Sequence, residues 1–240
     1  MSKILLGVHK EVIGNCTLYL GDNLRVMPEL PQVDAVITDP NYGIGRDGQT
    51  SRQVWGKHGG RKEYEFLGWD SDRPPKEAFD LMIQAAPLQI IWGGNYFADL
   101  LPRAYKWLVW DKGQRIITSD CELAWTSMKG ALRIFTLSRI ELATDGAVYP
   151  TQKPLRLMHW CIMQAGVPET VLDPFMGSGS TGVACLRSGV KFIGIDKEPK
   201  AFEIACRRIQ EEVDKPNLFA AELVQYKPTQ FNLMDKKEKP

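Results

Sequence analysis

Residues that bind metals or form disulfides are scarce in this sequence. Its 240 residues include only three histidines and five cysteines. The cysteines are odd in number, widely spaced and never in a CxxC pair, which argues against a disulfide framework and a zinc site. We therefore expect no metal centre, and we expect the cysteines to act as small core residues. His159 lies in an apolar helical pattern and is predicted to be a core residue as well.

Long apolar segments are also missing. No apolar run approaches the ~18 residues that a membrane-spanning helix needs. The N-terminal stretch MSKILLGVHKEV becomes charged too early for a signal peptide. The sequence therefore predicts a cytoplasmic protein without a membrane partner.

A strong net charge is the third absence. The chain has 30 basic and 29 acidic residues, and its net charge of +1 gives no overall electrostatic signature for nucleic acid. Two segments are nevertheless locally basic, one between residues 46 and 63 and one just before Glu141. Their basic residues are Arg46, Arg52, Lys57, Arg61 and Lys62 in the first, and Lys129, Arg133 and Arg139 in the second. Taken alone, each segment is typical of a solvated loop.

What the chain does contain is a regular alternation of strand and helix patterns, which predicts an α/β fold. We expect a single domain over residues 1–226, followed by a loose tail over residues 227–240 that lacks periodicity. Within the domain, residues 46–73 are rich in glycine and arginine and show little periodicity. A loop of that length in a compact domain is usually functional or disordered, so we predict a mobile loop there.

The segment LDPFMGSGSTG, residues 172–182, is the strongest local signal. Its glycines Gly177, Gly179 and Gly182 form a GxGxxG pattern between a strand and a helix, and Asp196 ends the next strand. This context is typical of a nucleotide site in which the acid binds a ribose. Asp173 stands before the glycines, where it would repel a pyrophosphate and attract an ammonium group. S-adenosyl-L-methionine fits that acid better than NAD does, although an NAD-binding oxidoreductase remains an alternative.

A second turn, TDPNYGIG at residues 38–45, follows the buried strand pattern VDAVI. It places the carboxylate of Asp39 next to Pro40 and the aromatic ring of Tyr42. An acceptor beside a ring, on backbone stiffened by proline, suits a flat molecule that offers an NH group.

Together, DPNY, TQKP at residues 151–154 and DPFMGSGSTG resemble, in that order, the motifs of amino-directed DNA methyltransferases of the permuted, beta-type order. The resemblance implies a Rossmann-like fold with circularly permuted motifs and a mixed seven-stranded sheet of order 3-2-1-4-5-7-6. The strands TVLDPF and VDAVIT would then be neighbours, so that both turns face one cleft at the carboxyl edge of the sheet.

The implied activity is methyl transfer from S-adenosyl-L-methionine to the N6 amine of an adenine flipped out of double-stranded DNA. Asp39 and the carbonyl of Pro40 would accept hydrogen bonds from the amine, and Tyr42 would stack on the base. Asn41 replaces the proline usual in the family. The same chemistry on cytosine N4 or on RNA, and a DNA-binding relative without turnover, remain alternatives.

By the same resemblance, the cofactor would be held by a larger set of residues, and Lys153 would lie near its carboxylate. The set is Asp22, Thr151, Gln152, Lys153, Asp173, Phe175, Gly177, Ser178, Gly179, Thr181 and Asp196. Asp22 is almost equally well explained as a helix cap.

In such an enzyme the two basic segments would contact DNA phosphates. Residues 128–148 would form the target-recognition segment. Because this segment has only about 20 residues, while a single DNA-binding module already covers roughly 600–1,000 Å², we expect a short recognition sequence or a homodimer. The sequence does not say whether a restriction nuclease accompanies the protein.

Overall fold

The computed structural model describes residues 7–45, 72–113, 119–138 and 152–215. Most of the predicted mobile loop, the second half of the predicted recognition segment and the predicted C-terminal tail therefore lie outside the described residues. No helix within the described ranges is long and apolar enough to cross a membrane.

Nine strands and five helices alternate along the described chain. The strands are β1 His9–Ile13, β2 Cys16–Leu20, β3 Ala35–Thr38, β4 Leu88–Trp92, β5 Trp107–Asp111, β6 Cys121–Thr126, β7 Arg133–Thr136, β8 Thr170–Asp173 and β9 Lys191–Asp196. The helices are α1 Asn23–Val26, α2 Lys76–Ala85, α3 Leu155–Gln164, α4 Ser180–Arg187 and α5 Pro199–Val213, with short 3-10 turns at Met27–Glu29 and Gly94–Tyr96.

All nine strands form one mixed sheet of order β1-β2-β9-β8-β3-β4-β6-β5-β7. The central strands β2, β9, β8, β3 and β4 are parallel, and β6 runs antiparallel to both β4 and β5. From β2 to β5 the order is the one that the resemblance implies, which confirms the predicted fold class. The predicted count of seven strands is corrected to nine by the edge strands β1 and β7.

The two additional strands lie outside the seven that the resemblance implies. β1 is largely exposed and pairs with β2 through a tight turn at Gly14, in which the glycine has a φ of 57°. Such an edge strand shows little of the apolar pattern by which strands are identified in a sequence. β7 extends the opposite edge by pairing with β5, and the segment ALRIFTL, residues 131–137, already indicates a possible strand there.

The sheet is covered on both faces, as its apolar central strands require. Along β3, Ala35 and Ile37 pack in one apolar cluster with α3, α4 and α5, whereas Val36 packs in a second cluster with α1 and α2. All four residues of β3 are buried. His159 does not belong to this core: it is exposed on α3 and lies 3.0 Å from the hydroxyl of Ser188, so the prediction for it was wrong.

The pairing of β3 with β8 positions the site. Ala35 pairs with Val171 and Val36 pairs with Leu172, in parallel register. The turns that follow the two strands therefore leave the same edge of the sheet side by side. The predicted adjacency of the two sequence motifs is confirmed.

Candidate active site

A cavity of about 390 Å³ lies at the carboxyl ends of the parallel strands. Asp39 and Asn41 of the DPNY turn line it together with residues from the glycine turn. The predicted site residues in its wall are Asp22, Asp39, Gln152, Lys153, Asp173, Phe175, Gly177, Ser178, Thr181 and Asp196. The cavity thus joins two motifs that are more than 130 residues apart in the sequence.

The glycine turn is shaped by two left-handed residues. Gly177 has a φ of 51° and Gly179 a φ of 78°, a region that favours glycine. A Cβ at Gly177 would meet no atom within 4 Å, whereas one at Gly179 would lie 3.0 Å from the Cβ of Ala205 in α5. At Gly182 it would lie 2.8 Å from the ring of Phe192 in β9. The first glycine therefore faces open space beside the cavity, and the other two permit close packing.

Asp173 connects the two turns through hydrogen bonds. Its Oδ1 accepts hydrogen bonds from the hydroxyl of Thr38 at 2.6 Å and from the amide of Phe175 at 3.1 Å. Its Oδ2 accepts one from the hydroxyl of Thr181 at 2.6 Å. Burial raises the pKa of Asp173 to about 6 although these hydrogen bonds oppose the change. The carboxylate is therefore a buried anion at ordinary pH, stabilised mainly by hydroxyl groups.

Asp196 has a similar electrostatic character on the other side of the glycine turn. Its Oδ2 accepts from the amide of Gly177 and its Oδ1 from the amide of Glu198, both at 2.8 Å. Burial again raises the pKa of Asp196 to about 6, against the effect of these amides. Asp22 caps α1 by accepting from the amide of Leu24 at 3.0 Å, and it also lines the cavity.

Asp39 is bound on both of its oxygens. The hydroxyl of Tyr42 donates to Oδ1 at 2.7 Å, and the ammonium of Lys153 lies 2.5 Å from Oδ2. Burial raises the pKa of Asp39, with Lys153 opposing that effect. Lys153 is thus placed at the DPNY turn, and its predicted contact with a cofactor carboxylate stays a prediction.

The ring of Tyr42 is packed against other aromatic residues. It stacks on Tyr96 with the ring centres 4.8 Å apart, and it meets the edge of Phe97 at 6.1 Å. Gly93 leaves room for it, since a Cβ there would lie 2.2 Å from the Tyr42 ring. The aromatic side chain is therefore held firmly by the protein, and its stacking on a base stays a prediction.

Asn41, the departure from the family motif, also has a structural partner. Its side-chain amide donates to the carbonyl of Asp72, next to the start of α2. Arg73 in turn forms a forked pair with Asp99, with contacts of 2.7 and 3.0 Å, and donates to the carbonyl of Tyr96. The segment before α2 is thereby attached to the DPNY turn on one side and to the aromatic residues behind it on the other.

Comparison with known proteins agrees with this arrangement. A family described as DNA methylase, of the N6/N4 group, matches residues 105–207, a range that includes Lys153 and the glycine turn. Type II methyltransferase M.BglI of Bacillus subtilis is 29% identical over 151 residues, which are 62% of this chain and 41% of that protein. Type II methyltransferase M2.DpnII of Streptococcus pneumoniae is 45% identical over 65 residues, 27% of this chain and 24% of the relative. The chain is thus similar to the N6/N4 DNA methylase family over residues 105–207.

Solved structures share the fold of this chain. M1.HpyAVI in complex with S-adenosyl-L-methionine gives a TM-score of 0.52 at 24% identity, over 80% of this chain and 99% of that one. PvuII DNA methyltransferase, which is cytosine-N4-specific, gives a TM-score of 0.53 at 15% identity, over 85% of this chain and 92% of that one. By sequence, the chain spans less than half the length of the two curated relatives named above.

Not every predicted site residue meets the cavity. Lys129 and Arg133 are exposed near β7, which three strands separate from β3. Seven further predicted residues lie outside the described ranges: Thr151, Arg139 and all five of the first basic segment, Arg46, Arg52, Lys57, Arg61 and Lys62. The DNA-binding prediction is therefore untested at most of its positions.

Four side chains that support residues of the cavity wall, directly or through a neighbour, were missed by sequence reasoning. Thr38 directly precedes the DPNY motif, so its position alone was a signal. Lys112 and Glu122 lie in the segments WLVWDK and ELAWT, and nothing in their local sequence indicates a link to Asp39. Arg208 lies on the amphipathic helix α5 and is read from the sequence as one surface charge among several.

Proposed function

We propose that the protein transfers a methyl group from S-adenosyl-L-methionine to the exocyclic amine of a base in double-stranded DNA, with adenine N6 as the target. One observation carries this proposal: the DPNY turn and the glycine turn line the same cavity, with Asp39 on one side and Asp173 on the other. A methyl donor and a methyl acceptor held by the two turns would therefore meet in one enclosed space.

The cavity suits a positively charged nucleoside. Its wall contains six carboxylate side chains, those of Asp22, Asp39, Asp72, Asp173, Asp196 and Glu198, against three basic ones, those of Arg73, Lys153 and Lys197. Two of the three cations are already paired with protein carboxylates, at Asp99 and at Asp39. Such a wall favours a sulfonium and an ammonium group and disfavours a pyrophosphate, which counts against a dinucleotide. Its volume lies within the usual range of roughly 300–1,000 Å³ for ligand sites.

The residues of the glycine turn have separate tasks in this proposal. Gly177 gives the ligand close access to the backbone, because no side chain occupies the space beside it. Asp173 offers negative charge to the amine of the cofactor, and Asp196 offers it to the ribose hydroxyls. When bound, S-adenosyl-L-methionine supplies an electrophilic methyl group on a positively charged sulfur.

On the acceptor side, an exocyclic amine is a weak nucleophile because its lone pair is delocalised into the base. Asp39 Oδ1 keeps a free lone pair beside the hydrogen bond from Tyr42, since a carboxylate oxygen accepts two hydrogen bonds. An amine that donates to Oδ1 and to the carbonyl of Pro40 would be pyramidal, with its lone pair aimed away from both acceptors. Positioning of this kind supplies much of the rate of an in-line displacement.

Adenine is proposed over cytosine because the first residue of the DPNY turn is aspartate rather than serine. DNA would be held by the two basic segments, whose described members Lys129 and Arg133 are exposed and available to phosphates. A short recognition sequence or a homodimer would make up for the short recognition segment.

Methyl transfer from labelled S-adenosyl-L-methionine to unmodified double-stranded DNA tests the proposal, with the nucleosides separated afterwards. We expect the label in N6-methyladenine. Label in N4-methylcytosine would support the proposed site but would show that the target base is cytosine and not adenine. If no nucleoside carries label, in DNA or in RNA, the proposed activity is wrong.

Arg208 gives an independent test of the cofactor side. Its Nη1 donates to the carbonyl of Ser178 at 2.5 Å and lies 3.0 Å and 3.3 Å from the hydroxyls of Ser178 and Ser180. The Arg208→Met substitution leaves these acceptors without a donor and loosens the glycine turn. A lost hydrogen bond to a charged group costs about 1.5–3 kcal/mol, so we expect the Kd for the cofactor, measured by calorimetry, to rise roughly 10-fold or more.

The matched control is Arg207→Met on the same helix. The Arg207 side chain is 64% exposed, and its closest acid is Glu211 at 3.9 Å. This variant should bind the cofactor like the parent protein. Equal losses of affinity in the two variants would show that α5, and not the Arg208 contact, is responsible.

A further inference from the structure

The ammonium group of Lys153 is enclosed by oxygens. Asp39 Oδ2 lies 2.5 Å from Nζ, Glu122 Oε2 lies 3.0 Å from it, and the hydroxyl of Tyr42 lies 3.2 Å from it. The Lys153 side chain is only 10% exposed. Of the three N–H groups of an ammonium, two can serve the hydrogen bonds to Asp39 and Tyr42, whereas Glu122 Oε2 contributes an ion pair and accepts no hydrogen bond.

This contact is the end of a longer chain of alternating charges. Glu122 of β6 binds Lys153 through Oε2, and its Oε1 lies 2.6 Å from the ammonium of Lys112. The Lys112 and Glu122 side chains are 11% and 22% exposed. Loss of one partner in a buried pair leaves an uncompensated charge at a cost of about 3–5 kcal/mol, so the four groups from Asp39 to Lys112 depend on one another.

The geometry determines how Asp39 can act. Tyr42 donates to Oδ1 and Lys153 to Oδ2, so each oxygen of Asp39 keeps one lone pair for a substrate. Asp39 also lines the cavity. The two contacts fix the rotation of the carboxylate, and thereby the directions in which its remaining lone pairs point.

We infer that Lys153 and Glu122 are positioning residues for the methyl acceptor: Lys153 keeps Asp39 ionised and fixes the orientation of its carboxylate beside the cavity, and Glu122 limits how strongly Lys153 neutralises it. This inference rests on the proposed function, because it assigns to Asp39 the role of amine acceptor. It assigns Lys153 to the acceptor side of the site rather than to the cofactor carboxylate.

The titration of Asp39 reflects these opposing neighbours. The charged and titratable groups that face it are Lys153, Glu122, Tyr42 and Asp173. Burial raises the pKa of Asp39, Lys153 lowers it, and Glu122 raises it. Lys153 itself stays protonated, because Asp39 and Glu122 outweigh the effect of burial and raise its pKa well above the usual range.

Two substitutions should shift the activity in opposite directions along the pH axis. Lys153→Met removes the cation, so the pKa of Asp39 rises and the acid limb of the single-turnover rate moves to higher pH. Glu122→Gln removes an anion, so the pKa of Asp39 falls and the acid limb moves to lower pH. At a fixed pH on that limb, a shift of one unit in the pKa of Asp39 changes its ionised fraction, and with it the rate, by about tenfold.

A control substitution tests for general damage. Lys106→Met removes another half-buried lysine, whose ammonium lies 3.0 Å from the side-chain oxygen of Gln164. This variant should keep the pH profile of the parent protein. A merely structural role of Lys153 and Glu122 would lower the rate of both variants without moving their profiles apart.

Carbon-13 NMR of protein labelled at the aspartate carboxyl groups keeps the test independent of turnover. The resonance that is absent from Asp39→Asn identifies Asp39, and its titration is followed without DNA in all variants. Opposite displacements in Lys153→Met and Glu122→Gln support the inference even if the parent protein transfers no methyl group. An unmoved Asp39 titration, together with a raised cofactor Kd in Lys153→Met, would overturn it in favour of a cofactor contact.

Discussion

Replacement of Asp39 by alanine is expected to lower the rate of methyl transfer by roughly 10²- to 10⁴-fold, the range typical of a positioned acid or base. The substitution removes the carboxylate to which the target amine would donate. It should change cofactor affinity far less, because the glycine turn and its contacts with Asp173 and Asp196 stay intact. Single-turnover rates and calorimetric titration of the cofactor measure the two quantities separately.

Asparagine at this position is not expected to restore activity. Lys153 would attract the amide oxygen, since it lies 2.5 Å from Oδ2 in the native protein. The amide NH2 group would then face the Tyr42 hydroxyl and the target amine. Since all three groups are hydrogen-bond donors at this position, the amine would find no acceptor there. Asp80→Asn is the matched control, because Asp80 pairs with Lys76 on the surface of α2. Full activity in Asp39→Asn would remove Asp39 from the proposed mechanism.

The parts of this structure that could be predicted from the sequence are those set by local patterns. Buried strands such as β3 are short runs of apolar residues, and α4 begins directly after a glycine turn, so both were expected. The neighbouring positions of β3 and β8 followed from the order of the motifs and their resemblance to a known family. The edge strand β1 was not expected because its exposed residues form no comparable pattern, whereas ALRIFTL indicated a possible strand at β7.

The electrostatic network could not be predicted in the same way. Lys112, Glu122 and Lys153 lie on separate parts of the chain, and the antiparallel pairing of β5 with β6 is what brings Lys112 close to Glu122. Sequence spacing gives no information on such a contact. Thr38 likewise looks like an ordinary polar residue until β3 and β8 are placed side by side, where its hydroxyl donates to Asp173 opposite that of Thr181.

The contacts of Asp173 lead to a second large effect, in which affinity and stability change in opposite directions. In Asp173→Asn, the amide oxygen can still accept from Thr38 and Phe175, and the amide NH2 can donate to the hydroxyl of Thr181. The negative charge, however, is lost from the cavity. Hydrogen bonds to charged groups contribute about 1.5–3 kcal/mol, so we expect the cofactor Kd to rise roughly 10- to 100-fold.

Stability should increase in the same variant. The pKa of Asp173 is raised from 3.8 to about 6 by burial, so the folded state binds a proton more tightly than the unfolded chain does. The resulting stabilisation is complete below the unfolded pKa and is lost as the pH rises through about 6. At neutral pH the ionised group therefore costs the folded protein up to roughly 3 kcal/mol, which an uncharged asparagine avoids. The midpoint of thermal unfolding at neutral pH should rise accordingly.

The pH dependence of cofactor binding provides the decisive comparison. In the parent protein the affinity for the positively charged cofactor should fall as the pH drops through about 6, where Asp173 and Asp196 become protonated. In Asp173→Asn the fall should be smaller, since only Asp196 still titrates. In Thr38→Val it should begin at higher pH, because the Thr38 hydroxyl lowers the pKa of Asp173. If Asp173→Asn instead binds the cofactor like the parent protein at every pH, the buried carboxylate serves the fold alone, and the amine of the cofactor must be bound elsewhere in the cavity.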